Sequence, residues 1–338
     1  MEDSFLAGII PLSSDKVLQD KYVTFAVMVA HKHIVNPKQP PNEVSPDTLV
    51  TALVDFTDST PKPQEEIRIS GHVSWVGNSS LEVVVWLELR MHGTWNPVTR
   101  ALFLLAARDS NNSKSTVVNA IQPANDREIQ ILSGGKDRKQ RWVKLQQKHV
   151  LKVIPDSEEQ KIIHDIFLRT VNNEISQRNR VLPPGCVWMN SASISNVVLS
   201  HPEERNMHNT VFGGFIMAQA EESSWVLGYM FSKHRPTLKS ISDIQFQRPI
   251  AVSSLIQMHT QVIYTQINYI QILVQVETYN PITEKNDSTN AFHFTYQVPE
   301  MVNEVFPMTY HEAMMYIDGR RHFQDVMKKS PGIFPNKL

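Results

Sequence analysis

The chain has 338 residues, a formal net charge of −1, 41% hydrophobic and 20% charged residues, the make-up of a globular protein with room for about two domains of ~150 residues each. Near-neutral charge excludes a surface dedicated to nucleic acid. A single cysteine, Cys186, excludes a disulfide framework and any cysteine-rich zinc site and points to a reducing compartment, and no apolar run reaches the ~20 residues of a membrane-spanning helix.

In chain order, Met1–Phe5 opens acidic, without the arginine-rich amphipathic character of an organelle presequence; by itself this start points to the cytosol. Residues 75–89 then read as the first part of an internal repeat. Trp75–Leu89 resembles Tyr264–Thr278 at an offset of 264 − 75 = 189, and Thr48/Thr237, Asp55/Asp243 and Ala101/Ala291 keep that step within one residue. A shared offset over four segments implies two copies of one fold. Residues 126–182 form a helical linker, in which Ser157-x-x-Gln160 reads as a capping box before Ile162, Ile163, Ile166 and Phe167. Cys186 follows Pro183-Pro184-Gly185 with no activating neighbour in sequence.

The second copy is the better defined. Ser193–Leu199 reads as a short strand, Phe212–Phe231 as a helix, and Lys239–Phe246, Leu255–Tyr264, Tyr269–Tyr279 and Asn290–Gln297 as strands. Asn280-Pro281 and Lys285-Asn286-Asp287 mark the turn between the last two. Near the C-terminus, Thr309-x-x-Glu312 caps a helix that carries Met314, Met315 and Ile317 and is expected to end at Gly319. The most informative run is His201–Glu222, where Asn206, His208, the pair Gly213-Gly214 and the carboxylates Glu221 and Glu222 surround the start of the apolar helix. A helix start presents unpaired amides and about half a positive charge, suited to polarising a carbonyl or holding an oxyanion, and glycines admit close approach of a substrate.

One helix wrapped by an antiparallel sheet, present twice, is the tandem hotdog arrangement, an α+β fold. The blocks Ser70–Gly77, Ala107–Ser110, Arg180–Pro183, Val187–Met189, His201–Asn206, Phe212–Phe215, Asp243–Gln247, Asn268–Gln271 and Asp318–Phe323 span nearly the whole chain in order. On these blocks it resembles the acyl-coenzyme A thioesterases of the double-hotdog class, most of all their mitochondrial type 9 branch. The resemblance implies a first hotdog repeat over 1–125, the linker over 126–182, a second repeat over 183–300 and a C-terminal helical extension over 301–338. It implies hydrolysis of acyl-coenzyme A to free fatty acid and coenzyme A, with no cofactor, no metal and no covalent intermediate required. It also implies a mitochondrial location and a homo-oligomer, trimers of such pairs being usual in relatives.

In that family an Asn of one repeat and an acid on the helix of the other face one substrate across the seam. Carried over, the Asn is Asn206 and the acid Glu221, with Glu222 as its competitor. Gly213, Gly214 and His208 are the oxyanion or substrate-binding set. Lys233 and Arg235, after the helix, are candidates for the coenzyme A phosphates, and equally a basic end suited to the helix dipole; Arg320-Arg321-His322 is a second candidate for phosphate. His201 and His208 read more readily as loop histidines than as ligands, His72 and His293 as packed strand residues, and Asp55 and Asp243 as structural carboxylates at strand starts. Trp225 and Phe231 read as core.

The first repeat departs from the pattern. Subtracting 189 from Gly213, Gly214 and Glu221 lands on Thr24, Phe25 and Lys32, and Lys21–His33 has neither a glycine pair nor a carboxylate. It resembles only the later part of the expected helix, so the first repeat has a truncated helix. Three activities stay open: thioester hydrolysis, acyl-coenzyme A binding with impaired turnover because the first-repeat acid is missing, and a hotdog dehydratase, which would prefer a His and acid pair over the Asn206 framework.

Overall fold

The structure is a computed structural model that describes residues 4–11, 21–34, 47–56, 66–108, 114–140, 153–171, 180–206, 209–245 and 250–328. The first half contributes β1 (Leu6–Pro11), α1 (Lys21–Ile34), β2 (Asp47–Phe56), β3 (Glu66–Val76), β4 (Ser80–Met91) and β5 (Thr94–Arg108). Two helices follow, α2 (Asp126–Ser133) and α3 (Ser157–Thr170). The second half contributes β6 (Cys186–Trp188), β7 (Ser193–Leu199), α4 (Gly213–Ser232), β8 (Thr237–Gln245), β9 (Leu255–Gln266), β10 (Tyr269–Asn280), β11 (Lys285–Gln297), β12 (Glu304–Phe306) and α5 (Tyr310–Met327).

Ten strands form one sheet in the order β1-β3-β4-β5-β2-β8-β11-β10-β9-β7, and β6 pairs with β12 in a small parallel ribbon. Read from either edge to the middle, the order is the same: edge strand, three strands joined as antiparallel neighbours, then the strand that follows the central helix. The halves join where β2 runs antiparallel to β8, with Val54 opposite Ile241 and Asp55 opposite Ser240. Antiparallel pairing of equivalent strands implies a local two-fold axis through this seam, so the repeat inferred from the 189-residue offset is a structural one. The β3–β4 and β9–β10 hairpins are its matching segments.

The strands form where apolar runs bury both faces. β4, with Val83, Val84 and Val85 fully buried, has the continuous apolar character of a strand covered on each side. In β11 the alternation is explicit: Phe292, Phe294 and Tyr296 belong to the core cluster, and Tyr296 reaches α4 through Ser224, whereas His293 on the opposite face meets Asp318 of α5. α1 packs on β3 and β4 and touches α4. Gly71 on β3 makes room for it, since a Cβ there meets Phe25 Cε1 at 3.3 Å and the Val84 carbonyl at 2.9 Å.

Ion pairs attach the outer helices, Arg138 with Glu82 and Arg321 with Glu159 largely buried and Arg320 with an exposed Glu158. Arg138 donates to Glu82 Oε1 at 2.7 Å through Nη2 and at 2.9 Å through Nε, and also holds the Ile131 carbonyl. Arg320 and Arg321 of α5 bind Glu158 and Glu159 of α3 at 2.6 and 2.7 Å. Both arginines of the Arg320-Arg321-His322 phosphate candidate are thus paired with carboxylates in this structure.

Several local expectations are corrected. The cap of α3 is Asp156, whose side chain accepts from Glu159 N while Glu159 returns to the Asp156 amide; an ionised carboxylate at the helix start displaces Ser157 from that role. Lys285–Asp287 is not a turn but the start of β11, because β10 continues to pair as far as Asn280 opposite Lys285. The turn is Pro281–Glu284, closed by Asn280 Oδ1 accepting from Ile282 N and Thr283 N. α5 does not stop at Gly319 but runs to Met327, since Gly319 sits against Ile263 and Tyr264 and serves close packing. Asp55 and Asp243 lie near the ends of β2 and β8, not at their starts.

The strand offset does not extend to the helices. Residues 35–46 separate α1 from β2 and residues 233–236 separate α4 from β8, so the helix ends are offset by 232 − 34 = 198. Matched at their ends, Glu221 corresponds to Val23, and Gly213-Gly214 to residues 15 and 16, outside the described residues. The described part of α1 has 14 residues against 20 in α4, and the expected first half of the first-repeat helix falls on residues outside the described ones.

Candidate active site

α4 starts at Gly213, with Phe212 as an extended N-cap that supplies no side-chain cap. The loop before it is closed on itself. Asn206 N donates to the Thr210 carbonyl at 2.8 Å, Asn206 Oδ1 accepts from Thr210 N at 3.1 Å, and Asn206 Nδ2 donates to Thr210 Oγ1 at 2.8 Å. Asn209 takes the left-handed conformation at φ 59° that this tight reversal requires. Val211 N donates to the Ile250 carbonyl and Phe212 N to the Glu204 carbonyl, fixing the direction in which α4 leaves the loop. Asn206 is thus half-buried beside the helix start with its carboxamide already oriented by Thr210.

Among the described residues, the amides of Gly213 and Gly214 have no acceptor at the positive end of α4, Gly213 half-buried and Gly214 buried. The glycines differ in what they make room for. A Cβ on Gly214 would run into the ring of the chain's own Phe212, which folds back over it; this glycine accommodates that ring. His208 lies outside the described residues, and His201 is exposed as the N-cap of the short turn Pro202–Glu204.

Glu221 is two turns further along α4. It returns to the glycine face, but its Cα is about 10 Å along the axis from that of Gly214 (seven residues at 1.5 Å). Around it lies a buried pair of hydroxyls: Ser224 Oγ donates to the Glu221 carbonyl at 2.8 Å and lies 2.7 Å from the Tyr296 hydroxyl. Burial pushes the Glu221 carboxyl up from the ordinary carboxylate range, and the neighbouring Glu222 charge pushes it further the same way. Tyr296 is fully buried, and burial with the Glu221 charge holds its phenol protonated well above its ordinary range. Glu222 is exposed on the solvent side of the helix.

Sequence reasoning missed Ser224 and Tyr296. Their signals were the three-residue step from Glu221 to Ser224, which shares a helix face, and the inward parity of Tyr296 with Phe292 and Phe294.

The structure separates the remaining candidates. Lys233 and Arg235 are exposed at the far end of α4, with Lys233 in the left-handed conformation at φ 63°. Gly213 and Ser232 are 19 residues apart, about 28 Å of helix, so the two basic residues do not share a locality with the glycine amides. Trp225 and Phe231 pack against the core as expected, with Trp225 Nε1 donating to the Pro236 carbonyl. On α1, Lys21–Ile34 contains no carboxylate at any position. Two half-sites result: Asn206 with the Gly213 and Gly214 amides at the start of α4, and Glu221 with Ser224 and Tyr296 at its middle.

Comparison with known proteins shows the family. Residues 208–284 match the family model described as Thioesterase superfamily. The mitochondrial acyl-coenzyme A thioesterase 9 of Mus musculus is 38% identical, over 96% of this chain and 78% of its own length. The mitochondrial acyl-coenzyme A thioesterase 10 of the same organism is 36% identical over the same shares, and the mitochondrial acyl-coenzyme A thioesterase 4 of Humulus lupulus is 27% identical over 90% of this chain and 60% of its own. With a symmetric ten-stranded sheet, a central helix in each half and these relatives along its whole length, the chain belongs to the acyl-coenzyme A thioesterase family.

Proposed function

We propose that this chain hydrolyses acyl-coenzyme A thioesters, adding water across the C–S bond to give a free fatty acid and coenzyme A. The observation that carries the reading is the 38% identity over 96% of the chain to an acyl-coenzyme A thioesterase. Glu221 is the base. Its raised carboxyl is better matched to removing a proton from water near neutral pH than an ordinary exposed carboxylate. Water's oxygen attacks the thioester carbon as its proton passes to Glu221, and collapse of the tetrahedral adduct expels the sulfur, which takes up a proton to leave as the thiol. Ser224 and the neutral Tyr296 phenol hold the Glu221 turn of the helix in place.

Asn206 and the amides of Gly213 and Gly214 make a second half-site that holds a thioester carbonyl of its own, separate from the one attacked beside Glu221. About 10 Å of helix separates these amides from Glu221 of the same helix, and α1 offers no carboxylate to complete them. That observation favours a second reading, in which the Asn206 half-site binds acyl-coenzyme A without turning it over. The two readings divide in one experiment: free-thiol release from short- to long-chain acyl-coenzyme A by the purified chain, beside Asn206→Ala and Glu221→Gln. Hydrolysis requires turnover that Glu221→Gln lowers by about 10²- to 10⁴-fold, the usual worth of a general base; Asn206→Ala, at the other half-site, then leaves most of that turnover in place. Binding of acyl-coenzyme A with no thiol release by the folded wild type overturns hydrolysis and leaves the binding reading.

A mitochondrial location and a homo-oligomer belong to the same proposal, supported by the names of the relatives for the first and by the family resemblance for the second. No helix among the described residues is long and apolar enough to cross a membrane. Import of the chain fused to a fluorescent protein tests the first, and light scattering after size-exclusion chromatography tests the second, where a mass of only one chain would refute assembly.

A further inference from the structure

The face of the second-half sheet turned away from α4 carries a cluster that thioester hydrolysis does not use. His293 projects from β11 and is 1% exposed; Asp318, 4% exposed, and half-buried His322 stand one turn apart on α5. One ligand atom from each lies within 4.8 Å of the other two. We propose that His293, Asp318 and His322 form a binding site for one divalent transition-metal ion, with zinc the best-matched, clamping α5 to the sheet beside the seam.

The donor set supports this class of ion. Two imidazoles and one carboxylate are the ligands of zinc and its first-row neighbours, whereas calcium and magnesium take oxygen. The distances support it too. His293 Nε2 stands 3.4 Å from Asp318 Oδ2, and two ligands of a tetrahedral ion with bonds of ~2.1 Å are separated by about 3.4 Å. Closing the third corner from within 4.8 Å asks for a shift of up to about 1.4 Å, available to the half-buried His322. The imidazoles of His293 and His322 stack with centroids 3.7 Å apart and planes 18° apart, and since imidazole binds through an in-plane lone pair, uptake of one ion requires the half-buried His322 ring to turn out of this stack. Ser242 Oγ on β8 is 3.2 Å from His322 Nδ1, an outer contact that orients the ring and leaves Nε2 as the ligand atom.

The backing is rigid. Asp318 and His322 are at i and i+4, on one face of α5. Gly319 between them lets the helix rest directly on β9, where a Cβ would meet Ile263 Cγ1 at 2.8 Å and Tyr264 Cβ at 3.0 Å. Phe323 packs on Tyr264 and Tyr269, each with ring centroids 5.5 Å away. Ser242 is the register partner of His293, and β8 forms the seam with β2, so a bound ion would tie α5 to the strand that joins the two halves.

The test uses the full chain stripped with chelator, titrated with zinc chloride and separately with cobalt chloride, with metal content read by mass spectrometry. The expected result is one equivalent of zinc per chain, tetrahedral-type visible bands with cobalt, and a higher Tm with zinc. His322→Gln should lose more affinity than the 10- to 100-fold typical of outer contacts, together with the zinc-dependent rise in Tm, while His259→Gln on the exposed part of β9 keeps both. Asp318→Asn, nearly isosteric, is the second variant should His322→Gln fail to fold. Folded wild type that takes up no stoichiometric zinc or cobalt, or either folded ligand variant binding as tightly as wild type, overturns the site.

Discussion

Gly214→Ala tests what the second glycine at the start of α4 is for. A Cβ there collides with the Phe212 ring, meeting Cε1 and standing 2.9 Å from Cζ and 3.1 Å from Cδ1, where carbon atoms prefer about 3.5–4.0 Å. The ring must move, and it packs against the core cluster, so overpacking of this kind costs about 1–3 kcal/mol. Alanine in a helix returns about 0.8–1 kcal/mol relative to glycine, leaving a net loss of about 1 kcal/mol. In a Phe212→Ala background the collision is gone and the propensity gain remains, so the same substitution becomes stabilising by up to about 1 kcal/mol. The sign inversion is a coupling of about 2 kcal/mol, within the range for residues in contact. Urea denaturation of the four proteins followed by circular dichroism measures it, and thiol release from acyl-coenzyme A supplies the second readout. Equal costs in the two backgrounds would refute the role assigned to the glycine. Turnover lost in both backgrounds with stability following the predicted cycle would mean that Gly214 also admits the substrate.

Glu221→Gln removes a carboxyl whose folded pKa is raised. Between the ordinary carboxylate pKa and the raised one the unfolded chain sheds its proton first, so the wild type loses stability as pH rises through that window and bears the whole penalty above it. The variant should therefore be more stable than wild type at neutral pH and equal to it below pH ~4; a lower urea midpoint at pH 7 with no difference in acid would contradict the shift. Glu222→Gln should move the rising limb of the pH–rate profile to lower pH by removing the like charge, and an upward move would contradict it. Arg138→Met leaves Glu82 buried at 1% exposure without its bidentate partner, which should cost about 3–5 kcal/mol; a urea measurement below 1 kcal/mol would show that the pair does not hold the outer helices. Tyr296→Phe removes the phenol's hydrogen bond to Ser224, whose hydroxyl still donates to the Glu221 carbonyl, and should cost about 1 kcal/mol with a larger effect on kcat than on KM, whereas an unchanged kcat would remove Tyr296 from the positioning of Glu221.

Much of the fold was legible in the residues. The duplication could be read because strands in equivalent places need the same parity and the same turns, so Trp75–Leu89 and Tyr264–Thr278 kept their pattern and spacing. α4 and β7–β11 were readable from apolar period, and the Thr309–Glu312 box from local hydrogen bonding, all of which depend on a few neighbours in sequence. Local signals misplaced what neighbours in space control. β11 reached back to Lys285 because β10 was there to pair with it, and α5 ran through Gly319 because that glycine meets β9.

For the site, residue types were legible and their grouping was not. Asn206, the glycine pair and Glu221 were marked by the family resemblance, and the missing acid of the first repeat by the bare sequence of Lys21–His33. Sequence alone established a duplicated α+β chain with a central helix in its second half that carries glycines and carboxylates. Tertiary structure decided that Asn206 is held by Thr210 beside the start of α4, that Tyr296 and Ser224 lie next to Glu221 two turns along it, and that His293, Asp318 and His322 meet on the opposite face. The physical reason is that periodicity reports which way a side chain points from its own backbone, while distance between side chains depends on how the elements pack.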